Sequence, residues 1–245
     1  MNTLVLLSGG LDSAVLAAHE AQNATVQPVY VSVGLAWEPG ELAMIQRLLA
    51  SPVFAGKIRP LARVEFTMRD VYPPTHWATR GVPPDYDTPD EDVYLAGRNL
   101  GLLTKAAMVA TRTGAHRIAL GPLAGNPFPD ARPEFFAAMA TALSLGLGHR
   151  IEVATPFLDW EKQQVILRGV ELGVPLELTL SCMNPGSGAS SASGASGASG
   201  ASGASSASKA VPMHCGLCSK CRERRDAFAE AGVDDPSTYA NRSPR

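Results

Sequence analysis

Thr3-Leu-Val-Leu-Leu7, followed directly by Ser8-Gly9-Gly10-Leu11-Asp12-Ser13, is the stretch that decides the fold. Its first five residues form an apolar run that is typical of a buried strand, and apolar residues then follow at helical spacing from Asp12 to Ala24. Two glycines between the strand and the helix allow a tight turn, because glycine adopts backbone conformations that other residues avoid. The stretch therefore predicts a strand, a turn and a helix, which form the first unit of an α/β fold.

The rest of the chain repeats this alternation of short apolar runs and longer helical patterns. The predicted strands are Val26 to Val33, Arg63 to Thr67 and His116 to Gly121. The predicted helices are Glu41 to Leu49, Asn99 to Thr113, Pro133 to Leu145 and Trp160 to Leu172, with a proline-rich loop from Tyr72 to Pro89. Strands that alternate with helices predict a doubly wound, mostly parallel α/β sheet with helices on both faces.

The composition excludes several classes of protein. The 245 residues suffice for one large or two small domains, and 21 basic against 23 acidic side chains leave a formal charge of -2. This balance argues against a mainly electrostatic binder of nucleic acid or of a membrane surface. No apolar run approaches the roughly 20 residues that cross a bilayer, and no export signal precedes the first strand. We therefore expect a cytoplasmic protein with neither a membrane nor a nucleic acid as its partner.

The turn from Ser8 to Ser13 has the residues that phosphate binding requires. Its glycines let the backbone approach an anion, and the amides at the start of the following helix can hold phosphate oxygens. Ser8 and Ser13 add hydroxyl donors, whereas Asp12 either caps the helix or holds a magnesium ion. The alternative is an ordinary Gly-Gly turn with a Ser or Asp cap. Neither a Walker-type motif nor a dinucleotide-binding GxGxxG motif follows a predicted strand.

The four cysteines of the chain are Cys182 and those of Cys215-Gly-Leu-Cys218-Ser-Lys-Cys221. In a reducing compartment such a set is more typical of a metal site than of disulfides. Four thiolates complete the tetrahedral shell of zinc and leave no position for water, so we predict a structural Zn²⁺. Four unligated thiols are the alternative. His214, beside Cys215, is left out of the ligand set because four cysteines already suffice.

Between Cys182 and Cys215, the tract from Gly186 to Ser208 contains only Gly, Ala and Ser. Such a tract buries almost nothing that would offset the entropy of ordering, so we predict a disordered linker. The predicted domains are a nucleotide-binding α/β domain at 1–180 and a small zinc-binding module at 181–245, which the linker at 186–208 interrupts.

Ser8 to Ser13 resembles the Ser-Gly-Gly-x-Asp-Ser signature of the PP-loop ATP pyrophosphatases, which adenylate a substrate and release pyrophosphate. Nearly the whole chain is similar to one family of that superfamily, 7-cyano-7-deazaguanine synthase (QueC). The other matching segments are Gly97-Arg98-Asn99, Asn126 to Phe135, Pro156 to Lys162, Leu172 to Cys182 and Cys215 to Pro236. The stretch from Ala36 to Glu41 departs from the family's Tyr-Gly-Gln-Arg-His-like loop and keeps only its final Glu, as a divergent paralogue would.

The resemblance implies an adenine nucleotide alpha hydrolase-like fold and an ATP-dependent C–N ligase of queuosine biosynthesis. Through an acyl adenylate, such an enzyme converts 7-carboxy-7-deazaguanine and ammonia into 7-cyano-7-deazaguanine (preQ0). ATP, Mg²⁺ and Zn²⁺ are the implied cofactors, and a homodimer is the implied assembly. The implied site residues are Asp12, Arg98 and Lys162 for catalysis; Ser8, Gly9, Gly10, Asp12, Ser13 and Asn99 for ATP; Asp130 and Arg132 for the deazaguanine; and Cys182, Cys215, Cys218 and Cys221 for zinc.

Simpler interpretations remain open for these residues and for the function. Arg98 and Asn99 can merely start a helix, Asp130 can cap the helix near Pro133, and Lys162 can be an exposed helix charge. One alternative function is a related PP-loop ligase that passes the activated carboxylate to a different amine, which the altered 36–41 loop favours. The other is a non-catalytic nucleotide-binding regulator or nucleic-acid binder that uses Lys220, Arg222, Arg224 and Arg225.

Overall fold

Five parallel strands form the central sheet within residues 2–187 and 211–241, which are the residues that this computed structural model describes. They are β1 (Asn2–Leu6), β2 (Thr25–Ser32), β3 (Ala62–Glu65), β4 (Arg117–Ala119) and β5 (Glu152–Ala154). They lie in the order β3-β2-β1-β4-β5, and every neighbouring pair is parallel. The topology therefore switches direction between β1 and β4, and open α/β sheets bind ligands beyond the carboxyl ends of strands at such a point.

Helices cover both faces of this sheet. They are α1 (Leu11–Glu20), α2 (Glu38–Ala50), α3 (Trp77–Arg80), α4 (Arg98–Thr113), α5 (Pro133–Leu147), α6 (Lys162–Glu171) and α7 (Ser219–Glu230). Successive residues of β1 point to opposite faces, so Leu4 packs in one core with Leu103 of α4, whereas Val5 packs in the other with Leu16 of α1 and Val165 of α6. Burial on both faces explains the nearly continuous apolar runs and confirms the predicted doubly wound fold.

The structure confirms the predicted strands and helices of the α/β part with small shifts at their ends. α2 begins at Glu38 rather than at Glu41, because Pro39 lies in its first turn, where a missing amide costs nothing. The elements that were not predicted include α3, β5 and α7. α3 has four residues and β5 has three, so neither is long enough to display a period.

The carboxyl-terminal segment packs against the same sheet. Strand β6 (Gly186–Ser187) pairs antiparallel with β7 (Pro212–Met213), so backbone pairing orders the first two residues of the predicted linker. The remainder of that tract, 188–208, lies outside the described residues. Leu180 belongs to the core beneath α4, and Phe228 of α7 belongs to the core beneath α1. The predicted domain boundary after residue 180 stays a prediction. Among the helices of residues 2–187 and 211–241, none combines the length and the hydropathy that a bilayer span requires.

Candidate active site and cysteine cluster

A cleft of about 360 Å³ opens beyond the carboxyl ends of β1, β2 and β4. It is bordered by the turn after β1, the start of α4, the start of α6 and the first turns of α7. The predicted ATP, catalytic and substrate residues that line it are Ser8, Gly10, Asp12, Ser13, Arg98, Asn99, Asp130 and Lys162. The structure therefore brings most of the predicted site together at the switch point of the sheet.

The turn after β1 is held by its own residues. Gly9 has a φ of +80°, and a Cβ at this position would lie 2.9 Å from Cγ1 of Ile45, so only glycine fits. The hydroxyl of Ser13 donates to the carbonyl of Gly10 at 3.0 Å, and the Gly10 amide donates to the hydroxyl of Ser8 at 3.3 Å. These bonds fix the path of the turn toward the first amides of α1.

Asp12 does not cap α1. The helix starts after Gly10 without any side-chain cap, so the interpretation of this motif as an ordinary capped turn is wrong. One carboxylate oxygen of Asp12, Oδ2, accepts a hydrogen bond from Nζ of Lys162 at 2.6 Å. The other, Oδ1, is buried and has no partner within the described residues. A buried carboxylate oxygen that accepts no hydrogen bond, next to the Ser8–Ser13 turn, can serve as a ligand of Mg²⁺.

Lys162 is a largely buried cation in the wall of the cleft, not an exposed charge on a helix surface. Only 16% of its side chain is exposed, and it begins α6, where Glu161 and Gln164 form a reciprocal capping box. Its ammonium group also contacts Oε1 of Glu223 at 3.0 Å. Burial by itself would lower the pKa of Lys162, but the carboxylates of Asp12 and Glu223 outweigh burial and hold that pKa above its ordinary value. Lys162 is therefore a fixed positive charge at neutral pH.

Asp130 holds the start of α4. Its carboxylate accepts from the backbone amide of Asn99 at 3.2 Å, and the side-chain amide of Asn99 donates to the backbone carbonyl of Asp130 at 2.8 Å. The interpretation of Asp130 as a cap for the helix at Pro133 is therefore wrong. Burial raises the pKa of Asp130, although the Asn99 amide acts in the opposite direction. Both residues line the cleft, so Asp130 presents its carboxyl group there in a fixed position.

Arg132 lies apart from these groups. It precedes α5 in an extended conformation, its side chain is exposed, and it is not among the residues that line the cleft. The chain turns from the short helical segment at Pro129–Ala131 into α5 at this point, so residues 130 and 132 face different surroundings. The geometry gives the predicted substrate role of Arg132 no support.

A buried acid opposite Arg98 completes the cleft. Arg98 follows the left-handed Gly97, and its Nε is buried with no partner in the described residues. Glu41 accepts a hydrogen bond from the hydroxyl of Tyr30 at 2.7 Å. Burial raises the pKa of Glu41 to about 7, although Arg98 and Tyr30 both lower it. From the sequence, Glu41 is identified only as the retained residue of the altered loop, and Tyr30 is not identified. The available signal for Tyr30 is its hydroxyl between Val29 and Val31 in β2.

Glu38 fixes the segment 36–41, whose residues from Glu38 onward form the first turn of α2. Glu38 accepts hydrogen bonds from the backbone amides of residues 33–35 at 2.7, 2.9 and 3.1 Å, and from the Ser32 hydroxyl at 2.6 Å. The ring of Trp37 stacks on that of Trp77 of α3, with 5.7 Å between centroids, and both rings line the cleft. This end of the cleft therefore offers aromatic surface.

The four cysteines form one buried cluster. All four Sγ atoms lie within 4.8 Å of one another. The backbone amides of Asn184 and Cys215 donate to Sγ of Cys182 at 3.3 and 3.2 Å, and such donors favour the thiolate form that binds zinc. His214 lies outside the cluster, because its Nε2 accepts from the Ser181 amide at 3.2 Å. The donor set fits a closed tetrahedral Zn²⁺ site, and His214 is not part of that set.

The basic residues of α7 do not form a free basic surface. Arg224 is buried and donates to three side-chain hydroxyls. The guanidinium of Arg225 lies 4.1 Å from the centre of the Tyr239 ring, and Lys220 and Arg222 each contact an aspartate. Because these cations are paired within the chain, the nucleic-acid-binding alternative loses the residues on which it depended.

The fold and the cleft together define an α/β protein of the PP-loop class, with the Ser8–Ser13 turn at the switch point of a parallel sheet. The sequence model of the family described as "Queuosine biosynthesis protein QueC" matches residues 2–232, and the chain belongs to this family. The match includes the turn, the cleft and all four cysteines.

Relatives in this family align along nearly their whole length. The chain is 33% identical to a 7-cyano-7-deazaguanine synthase of Stenotrophomonas maltophilia, over 97% of this chain and 98% of the relative. It is 32% identical to a 7-cyano-7-deazaguanine synthase of Magnetococcus marinus, over 98% of this chain and 97% of the relative. It is 30% identical to one of Methanopyrus kandleri over 97% and 98%. The chain therefore spans the same extent as these named enzymes.

Proposed function

We propose that this protein is an ATP-dependent 7-cyano-7-deazaguanine synthase. The observation that carries the proposal is the ion pair between Asp12, in the Ser-Gly-Gly-x-Asp-Ser turn that opens on the cleft, and Lys162 at the start of α6. Family membership and the names of the full-length relatives supply the substrate class, which is 7-carboxy-7-deazaguanine, ATP and ammonia.

In the first step, the substrate carboxylate attacks the α-phosphate of ATP, and pyrophosphate leaves with its charge. The amides at the start of α1 and the hydroxyls of Ser8 and Ser13 would hold the phosphate oxygens. The ammonium group of Lys162 lies 2.6 Å from Asp12 at the same end and would offset the negative charge that develops on the leaving group. Arg98, whose Nε is unpaired, would reach the nucleotide or the carboxylate from the start of α4.

In the later steps, ammonia displaces AMP from the acyl adenylate to give the amide. The amide oxygen then attacks the α-phosphate of a second ATP with release of pyrophosphate, and elimination of that oxygen as AMP, with loss of both amide protons over the two steps, yields the nitrile. The work of the protein in each step is positioning, because one cleft must hold the deazaguanine and the phosphates at a fixed distance. The carboxyl group of Asp130, held by Asn99, would accept hydrogen bonds from the guanine-like edge of the substrate.

Two metals belong to this proposal. Oδ1 of Asp12 has the open valence that Mg²⁺ requires, and a bound Mg²⁺ would neutralise polyphosphate charge at that end of the cleft. The four thiolates would hold Zn²⁺ in a closed shell, so the role of zinc would be to stabilise the fold.

The test is one mixture of protein, Mg²⁺, ATP, 7-carboxy-7-deazaguanine and ammonium, followed by mass spectrometry. Nitrile, AMP and pyrophosphate should appear together. Appearance of ADP in place of AMP would contradict the proposal, because PP-loop chemistry cleaves between the α and β phosphates. Binding of ATP without any turnover would favour the alternative function of a non-catalytic nucleotide-binding regulator.

A second candidate is a ligase of the same class that transfers the activated carboxylate to a different amine. The stacked Trp37 and Trp77 favour it, because they give the cleft an aromatic end that suits an acceptor larger than ammonia. AMP formation that depends on 7-carboxy-7-deazaguanine but yields no nitrile would support this candidate. A screen of amines for restored product would then identify the acceptor class.

The proposed assembly is a homodimer in the cytoplasm, as the family resemblance implies. Light scattering on the purified protein at micromolar concentration tests the assembly, and a mass of one chain, 25.7 kDa, would contradict it.

A further inference from the structure

A chain of ion pairs connects the phosphate end of the cleft to α7. Nζ of Lys162 lies 2.6 Å from Asp12 and 3.0 Å from Oε1 of Glu223. The second oxygen of Glu223, Oε2, lies 2.6 Å from Nζ of Lys220, which also contacts Asp90 at 3.2 Å. Glu223 therefore lies between two ammonium groups, and it was not among the site residues predicted from the sequence.

These groups belong to the cleft. Lys162, Lys220 and Glu223 all line it, and the side chain of Glu223 is 30% exposed. Two lysines that face one cleft repel each other, and a carboxylate that bridges them removes that repulsion while leaving protons of both ammonium groups free to donate. The bridge thus allows two positive charges to stand at the position where a polyphosphate would lie.

The place of Glu223 in the fold constrains its backbone. It lies on α7, which begins after Cys218 and includes Cys221, so two of the four cluster cysteines hold the first turn of this helix. Arg224, the next residue, is buried and bonded to Thr179. A carboxylate on so constrained a backbone can orient a flexible lysine, whereas a lysine alone has many rotamers of similar energy.

We propose that Glu223 is a positioning residue of the phosphate site, which acts by holding the ammonium group of Lys162 beside Asp12. This proposal rests on the proposed function only to the extent that the cleft binds a polyphosphate. In the competing view, Glu223 merely attaches α7 to the sheet. The two views differ in whether Glu223 and Lys162 act on the bound anion together or independently.

A double-mutant cycle decides between them. Wild type, Glu223→Gln, Lys162→Met and the double variant are compared for the dissociation constant of inorganic pyrophosphate with Mg²⁺, by calorimetry, and for kcat and KM of AMP formation. Glu230→Gln is the matched control, because Glu230 is an exposed glutamate at the far end of the same helix. Zinc content and melting temperature are measured for every variant.

If Glu223 positions Lys162, the two substitutions are not additive. We expect Lys162→Met to weaken pyrophosphate binding by about 10-fold in the wild-type background and by less than about 3-fold in the Glu223→Gln background. We also expect Glu223→Gln to lower kcat by about 10- to 100-fold without raising KM for ATP, because a misplaced cation costs rate while removal of a negative charge favours anion binding. Glu230→Gln should match wild type in both measurements.

Additive effects on pyrophosphate binding, or an unchanged kcat in Glu223→Gln, would overturn the proposal. If Glu223→Gln loses zinc or melts early, Glu223→Asp keeps the charge on a shorter arm and should show the same non-additivity with Lys162→Met; an additive result there overturns the proposal equally. A wild-type protein that makes no AMP would refute the proposed function, and the binding cycle would then decide the role of Glu223 by itself.

Discussion

The turn from Ser8 to Ser13 and the cysteine cluster are built from opposite kinds of contact. Hydrogen bonds within the turn join residues at most five positions apart, whereas Cys215 donates to Cys182 across 33 positions. The turn is therefore shaped mainly by contacts within β1 and α1, with one distant backbone bond from the Leu180 amide to the Gly9 carbonyl. The cluster, by contrast, needs the folded sheet, or a bound metal, to bring its segments together. The difference teaches that damage to the turn should cost rate, while damage to the cluster should cost stability.

The largest effect should come from breaking the cluster. Four-thiolate zinc sites bind with apparent free energies of about 10–16 kcal/mol, so Cys218→Ser should abolish zinc binding and lower the melting temperature strongly. Metal analysis and calorimetry measure both. Leu217→Ser, a neighbouring partly exposed position, is the control and should keep its zinc. A metal-free Cys218→Ser protein with wild-type stability would show that the cluster does not depend on metal.

Substitution in the turn should lower the catalytic rate and leave the stability nearly unchanged. Asp12→Asn removes the charge that pairs with Lys162 and should lower the rate of AMP formation about 10²- to 10³-fold, since an oriented charged group in such a site contributes that much. The melting temperature should stay close to that of wild type. Asp159→Asn, an exposed aspartate before α6, serves as the control. A large loss of stability in Asp12→Asn would mean that the turn and the fold are not separable.

The third prediction concerns Glu41, in the wall of the cleft beside the turn, and the effect of its ionisation on stability. Burial raises the pKa of Glu41 from 4.5 to about 7, so the folded state keeps this proton while the unfolded state loses it. The stabilising contribution is complete below pH 4.5 and is lost as the pH rises toward 7. Relative to Glu41→Gln, wild type should therefore lose up to about 3 kcal/mol of unfolding free energy across that interval.

Urea unfolding of both proteins at several pH values measures this difference. Glu177→Gln, an exposed glutamate, should follow wild type at every pH. A constant difference between wild type and Glu41→Gln across the interval would mean that Glu41 is ionised in the folded protein.

The smallest effect should come from the connection between the two halves of the cluster. Shortening the Gly/Ala/Ser tract at 188–208 to about five residues should raise the unfolding free energy by only about 1 kcal/mol, because each of the roughly two halvings of loop length is worth about 0.6 kcal/mol. Zinc content and AMP formation should both be retained. Loss of activity with zinc still bound would indicate that the tract contributes to function.

Much of the fold could be predicted because its signals are local. The apolar run of β1 and the helical spacing after it depend on neighbouring residues, as does the positive φ of the turn at Gly9. β5 could not be predicted, because a strand of three residues is stabilised by its pairing with β4 rather than by its own pattern. α7 was also missed. Its sequence is rich in charged residues and shows little apolar periodicity, and its charges are paired with other parts of the chain.

The sequence by itself determined the first βα unit and the four thiols of the cluster. Each of these depends on backbone sterics, or on the chemistry of a few residues whose spacing is visible in the chain. Only the tertiary structure decided that Lys162 meets Asp12 across 150 positions and Glu223 across 61. Such meetings are set by how helices pack on the sheet, because side chains from distant segments share a cleft only after both cores have formed.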